Sequence, residues 1–257
     1  MVSDAPAADR VLDVLSLLAR EPEPMAGGTV AARLRLPRST AYRLLAVLVE
    51  HGYVTYLADQ RRYGLGVAAY ELGSAYQRQA PLQRIARPLL HGLVDHVHQN
   101  AHLAVLQGRD VLYVIEERAP GRPLLVTDVG VRLPAVRTAS GLAMLAALSR
   151  EQVRALFPDA SAFPGAGDQE AGVPTTPTAL RRVLVDVRNR GHATEEGSVT
   201  EGLSSVAQVV RDHTGYPAAA VAITYAASDV ATSAVSDLVN AASTTAAALS
   251  RRLGFRG

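Results

Sequence analysis

The stretch Leu36-Pro-Arg-Ser-Thr-Ala-Tyr-Arg-Leu-Leu-Ala-Val-Leu48 decides the fold of the N-terminal part of the chain. Ala41, Leu44, Leu45 and Leu48 recur at i, i+3, i+4 and i+7, the spacing of a helix that buries one stripe. Pro37 stands where the first turn of a helix tolerates a residue without an N–H. Arg38 and Tyr42 are four apart, as are Ser39 and Arg43, while Ser39 and Tyr42 are three apart, so these four share the opposite face. That division suits a recognition helix, which packs on one side and brings its N-terminal polar residues to base edges and phosphates on the other. Arg38 or Arg43 could pair with guanine O6 and N7 or hold a phosphate. Tyr42 and the hydroxyls of Ser39 and Thr40 suit phosphate oxygens.

Working outward, Val11, Val14, Leu15 and Leu18 predict a first helix over Val11–Arg20, which Glu21-Pro-Glu-Pro24 ends. A short second helix is expected over Thr29–Leu34, with Gly27-Gly28 a poor start. Gly52 stops the third. Tyr53–Leu57 and Arg61–Leu65 then bracket Ala58-Asp59-Gln60, a β-hairpin signal. Three helices and a hairpin in this order read as a winged helix-turn-helix over residues 1–65. On its hairpin, Arg61 and Arg62 could reach the adjacent DNA backbone or the minor groove. From Pro24 to Val49 there is no acid, yet Arg33, Arg35, Arg38 and Arg43 all occur, a local basic stripe. A solvated helix face beside a solvated hairpin would show the same residue types. The element order and the acid-free stripe favour double-stranded DNA as the partner.

Bulk composition allows this reading without announcing it. The net charge is only +2 over 257 residues, with 48% hydrophobic and 19% charged residues, ordinary for a soluble globular protein of one or two domains. All 26 basic residues are Arg, so an individual Arg carries no message of having been chosen over Lys. The absence of Cys excludes disulfides, thiolate metal sites and cysteine nucleophiles. No apolar run reaches the ~18–20 residues of a membrane span, and Met1–Arg10 has no signal-peptide pattern, so cytoplasm is the default location.

Gly66–Gln79 reads as a linker helix (residues 66–80), closed by Pro81, ahead of a larger domain over 81–257. In that domain helices are expected over Leu82–His98, Thr138–Leu148, Pro177–Arg190 and at the C-terminus. Strands are expected over His102–Gln107, Val111–Arg118, Leu124–Val129, Ala193–Glu196, Ser204–Arg211 and Ala218–Thr224, and Phe157–Thr176 reads as a loop. Hairpins with helices before, between and after them imply an α+β sandwich. His96, His98 and His102 invite a metal reading, but the strand signal at His102 breaks the helical spacing, and a solvated helix end is favoured. Ser204-Ser205 is not in a nucleophile elbow, and Gly-rich phosphate motifs are missing, so neither an enzyme nor a cofactor is expected.

The recognition-helix stretch, with His51-Gly-Tyr-Val-Thr and Arg62-Tyr-Gly-Leu-Gly66, resembles the DNA-binding domain of IclR-type (isocitrate lyase regulator) transcription factors. The resemblance continues through His102-Leu-Ala-Val-Leu106, Val111-Leu-Tyr-Val114, Gly130-Val-Arg-Leu-Pro134, Thr138-Ala-Ser-Gly-Leu-Ala143 and Gly191-His-Ala. It implies a GAF-like effector-binding domain and homodimers, often paired into tetramers, on palindromic operators. Departures occur. Arg35 stands where the family usually has a small residue, often Gly, and Thr29 where it has an acid. Val136 and Leu142 replace a His and a Lys.

By position, the resemblance carries the effector site onto Ala139, Ser140, Glu195, Ser205, Ala222 and Thr224, with Leu125 and Leu133 as apolar wall. Ala222 and Thr224 are two apart and face one side of a strand, as a pocket floor requires. Amides at the helix start near Ser140 could hold a carboxylate, whereas Glu195 would repel one unless protonated or turned away. Core packing is as good a reading for Leu125, Leu133, Ala139 and Ala222. The function expected is a repressor or activator controlled by a small organic or aromatic metabolite. The alternative is a metabolite-binding protein or enzyme whose winged helix mediates protein contacts.

Overall fold

A computed structural model describes residues 5–79, 81–122, 125, 127–164 and 172–256. The chain divides into two compact units, Met1–Ala80 and Pro81–Gly257. The first contains α1 (Pro6–Arg20), β1 (Met25–Ala26), α2 (Gly27–Arg33), α3 (Arg38–Glu50), β2 (Val54–Leu57), β3 (Arg62–Leu65) and α4 (Val67–Gln79). Its core gathers Val14 and Leu18 of α1, Val30 of α2, and Leu44, Leu45 and Leu48 of α3 around Met25 and Val54. The stripe of α3 is buried as its periodicity requires, Ala41 included.

Three local features differ from the expectation. The first helix starts at Pro6, in the first-turn position where proline costs nothing, and not at Val11. The second starts at Gly27 and not Thr29. An added Cβ at Gly27 would lie 2.9 Å from the Tyr42 ring, so this poor helix former is demanded by close contact between α2 and α3. In the hairpin, Leu57 pairs with Arg62, which leaves Arg61 in the turn at φ 52° and not in the strand. β1 adds to the hairpin through Met25 opposite Tyr63, giving a three-stranded sheet ordered β1-β3-β2. Arg35, between α2 and α3, also has φ 52°. A left-handed conformation costs a non-glycine residue roughly 1–2 kcal/mol.

The second unit is α+β. It contains α5 (Pro81–Val97), β4 (Asn100–Gln107), β5 (Asp110–Glu117), β6 (Arg132–Pro134), α6 (Ala139–Ala147), α7 (Arg150–Leu156), α8 (Pro177–Arg190), β7 (Ala193–Glu196), β8 (Leu203–Arg211), β9 (Pro217–Ala226) and α9 (Val235–Arg252). The six strands form an antiparallel sheet ordered β6-β5-β4-β9-β8-β7. Each face of the sheet has its own core. Leu103, Ile115, Val206, Val221 and Ile223 pack with Leu90 and Leu93 of α5 and Leu238 and Leu249 of α9. The alternate residues Ala104, Ala207, Ala220 and Ala222 pack with Leu142 and Leu145 of α6 and Leu180 and Leu184 of α8. Val136 and Leu142 belong to this second core.

Of the strand expected over Leu124–Val129, residues 124 and 126 lie outside the described residues. Leu125, Thr127 and Asp128 are in no regular element. The strand that pairs with β5 is instead β6, where Leu133 lies opposite Val111. Among its described residues the expected loop over Phe157–Thr176 holds the 3₁₀ turn Ala160–Ala162, and residues 165–171 lie outside the described ones. Helix α7 went unread because its turns are short and none of its residues is buried.

Thr138 caps α6, its Oγ1 accepting the Gly141 amide at 2.9 Å. An added Cβ at Gly141 would collide with the Ala135 carbonyl. Gly141→Ala is therefore predicted to destabilise the second unit by roughly 2–3 kcal/mol, as forced overpacking does. An unchanged urea midpoint for that unit would contradict the close approach. Arg35→Gly is predicted to stabilise the first unit by up to about 1 kcal/mol, since relief of left-handed strain exceeds the entropy cost of glycine. A lowered urea midpoint would show that the Arg35 side chain contributes more than its backbone costs.

Candidate DNA-binding face and effector cavity

On α3 the outward face presents Arg38, Ser39, Tyr42 and Arg43, all exposed, with Thr40 half-buried. No described residue forms an ion pair or hydrogen bond with the Arg38 or Arg43 guanidinium, so both are free to meet an anion. Tyr42 has a second duty. Its ring packs edge-on against Tyr63 at 6.4 Å, and Tyr63 in turn meets Tyr56 at 4.8 Å. This aromatic row braces α3 against the hairpin while leaving Tyr42 47% exposed.

The two wing arginines differ. Arg61 is exposed at the hairpin turn, and its guanidinium has no hydrogen-bond or ion-pair partner among the described residues. Arg62 lies within the three-stranded sheet, and its Nη1 lies 3.4 Å from Glu23 Oε2 and donates to the Pro24 carbonyl at 3.3 Å. To contact a phosphate, Arg62 would first have to leave Glu23.

In the second unit a cavity lies between the alanine-bearing sheet face and the start of α6. Of the residues placed there by resemblance, Leu125, Ala139, Ser140, Glu195, Ser205, Ala222 and Thr224 line it. Leu133 does not. It is half-buried on β6 against the alanine-side core, because pairing with β5 turns it into packing. Register assembles the floor. Glu195 pairs with Ser205, Ser205 with Thr224, and Ala222 with His102, so four strands deliver side chains to one face. The space open to the centre of a water molecule is about 20 Å³. That admits one or two waters, so a larger ligand enters only as the wall moves outward.

Most polar groups here already have partners. Ser205 Oγ and Thr224 Oγ1 share a hydrogen bond at 2.9 Å. Glu195 is buried, and its Oε1 accepts from Ser198 Oγ at 3.0 Å and the Val199 amide at 3.2 Å. The Thr138 cap occupies one of the α6 amides that could have held a carboxylate. Tyr113 also lines the cavity. Burial, and secondly the Glu195 charge, raise its phenol well above the ordinary tyrosine range, so it stays protonated. No arginine borders the cavity among the described residues.

Of the three histidines that invite a metal reading, His102 lies in a strand, as its expected span His102–Gln107 implies. His96 and His98 are exposed, but His102 is 1% exposed on β4 and lines the cavity beside Tyr113, the ring centroids 5.7 Å apart. Among the described residues no group of three His, Asp or Glu side chains is placed to hold a metal ion. Burial, and secondly Arg118, push the His102 pKa down to about 4, so the ring is neutral near pH 7. Among the described residues neither ring nitrogen has a hydrogen-bond partner, nor does the buried hydroxyl of Thr127, another lining residue. Period-two alternation with Ala104 on the strand was the sequence signal that could have placed His102 on this face.

Both units match one family. The profile described as the IclR helix-turn-helix domain matches residues 7–58, and that described as bacterial transcriptional regulator IclR C-terminal matches residues 74–251. The Pca regulon regulatory protein of Pseudomonas putida is 32% identical over 196 residues, which span 75% of this chain but only 64% of that protein. The HTH-type transcriptional regulator BhcR of Paracoccus denitrificans is 29% identical over 244 residues, 91% of this chain and 83% of that protein. The crystal structure of an IclR transcriptional regulator from Alicyclobacillus acidocaldarius superposes with a TM-score of 0.83 at 25% identity, covering 97% of this chain and 99% of the other. The first is named as a regulatory protein and the second as a transcriptional regulator, neither as an enzyme. With a helix-turn-helix unit and an effector-domain unit both matched, the chain belongs to the IclR family of bacterial transcriptional regulators.

Proposed function

We propose that this protein is a cytoplasmic regulator that binds a palindromic operator as a homodimer and changes its DNA affinity when a small organic or aromatic metabolite occupies the cavity of the second unit. The observation that carries the DNA half is the outward face of α3, where Arg38 and Arg43 are uncommitted beside Ser39, Thr40 and Tyr42. Arg61 extends the contact on the wing, with Arg62 as a conditional second. Residues 1–65 are the DNA-reading domain in this reading, α4 is the connection, and residues 81–257 are the sensor.

The homodimer is supported by apolar side chains that a monomer leaves in water. Val67 is 66% and Tyr70 76% exposed on one face of α4, Leu72 61% on another, and Leu12 of α1 60%. Burying such side chains against a second copy gains roughly 25 cal/mol per Å². Tyr70→Glu is predicted to raise the monomer fraction of the full chain in light scattering at low micromolar concentration. An unchanged mass would remove α4 from the interface.

Arg43→Ala is predicted to weaken binding to DNA from the protein's own promoter region by about tenfold, within the range for loss of one base-edge or phosphate contact. The urea midpoint should stay within error, because Arg43 is exposed. A shift assay at fixed salt reads the affinity. Unchanged affinity would reject Arg43 as a contact, and absence of DNA binding by the native chain would reject the regulator reading.

A further inference from the structure

We propose that His102 reads the ligand of the cavity, and that this ligand is a small uncharged molecule carrying hydroxyl groups and not a carboxylate. The proposal rests on reading the cavity as the effector site, and it adds the polarity of the effector and a residue that resemblance did not place there. A neutral imidazole has one N–H donor and one acceptor nitrogen. Both are buried in His102, opposite Ala222 on the neighbouring strand, and both lack a partner among the described residues. A buried polar group without a partner costs about 1–3 kcal/mol, so native structures keep one where something else completes it. Thr127, on another part of the same wall, leaves its hydroxyl in the same condition.

The charge around the cavity sets the ligand class. Glu195 is buried at the wall, and its charge is felt at Tyr113. No arginine among the described lining residues offsets it, and Thr138 takes the Gly141 amide at the start of α6. A carboxylate would therefore be desolvated beside a like charge, which is unfavourable. A hydroxyl can donate to the acceptor nitrogen of His102 or to Glu195, and can accept from the imidazole N–H. Flat molecules gain a further surface from the rings of His102 and Tyr113, which meet edge-on.

Calorimetry on the full chain with matched probes tests this. Catechol, resorcinol and benzyl alcohol are the uncharged set, and benzoate and 4-hydroxybenzoate the charged set. At least one uncharged probe should bind, tenfold or more tighter than either carboxylate. His102→Leu should weaken that probe by tenfold or more while raising the melting temperature of the ligand-free chain, since two unpartnered nitrogens are removed. His102→Asn, which keeps a donor and an acceptor, should retain an intermediate affinity, and Glu195→Gln should strengthen 4-hydroxybenzoate.

The proposal is overturned if a carboxylate binds the native chain more tightly than every uncharged probe, or if no probe binds. Unchanged probe affinity in His102→Leu would assign the ring to a buried water, and failure of that variant to fold would show the ring to be structural. Either result overturns the proposal. A promoter-DNA shift assay on the same preparations separates the two readings. A native chain that binds DNA but prefers carboxylates defeats only this inference, whereas one that binds no DNA defeats the regulator reading whatever the probes do.

Discussion

The close packing of α6, against the 3₁₀ turn Ala135–Arg137 before it and the alanine face of the sheet, is the constraint on which the second unit depends. Gly141 lies against the Ala135 carbonyl, and alanines at 104, 207, 220 and 222 form the surface below the helix. Alanine buries little area, so this face gives up stabilisation at roughly 25 cal/mol per Å² relative to a leucine surface. The opposite face supplies what this one lacks, with leucine, isoleucine and valine meeting α5 and α9. One side of the sheet thus holds the unit together, while the other leaves room for a cavity. At that cavity Ser205 and Thr224 satisfy each other, whereas the His102 ring nitrogens have no partner among the described residues.

The first unit divides its labour in the same way on a smaller scale. Burying Ala41, Leu44, Leu45 and Leu48 leaves α3 one orientation, which turns Arg38, Ser39, Tyr42 and Arg43 to solvent. The row of Tyr42, Tyr63 and Tyr56 then ties that helix to the hairpin, and Gly27 keeps the space the row needs. On the proposed reading, a ligand in the second unit alters DNA binding by favouring one arrangement of a homodimer over another. Differential affinities of this kind are typically worth about 1–3 kcal/mol.

Most of this architecture was legible because it rests on periodicity. The buried stripe of α3, the alternation in β8 and β9, and Pro and Gly at helix ends all act through local geometry. What escaped depends on distance in the chain. β1 is two residues long and exists only because β3 offers an edge. Gly27 reads as a poor helix start until the Tyr42 ring beside it is known. Leu133 was placed in the cavity wall, but its pairing with Val111 spends it on packing. His102 was expected on a strand, but nothing local reveals that this strand becomes central. Arg62 looked free until folding brought Glu23 within 3.4 Å.

A hydroxyl-radical footprint of the full chain on DNA from its own promoter region tests the central claim most directly. Two copies of α3 in successive major grooves should protect two half-sites related by a dyad, their centres about 10 base pairs or a multiple of that apart. The protection should fade as salt rises, because released counterions drive much of the affinity. Uniform protection without a dyad, or none at a salt concentration where the protein stays folded, would contradict the account.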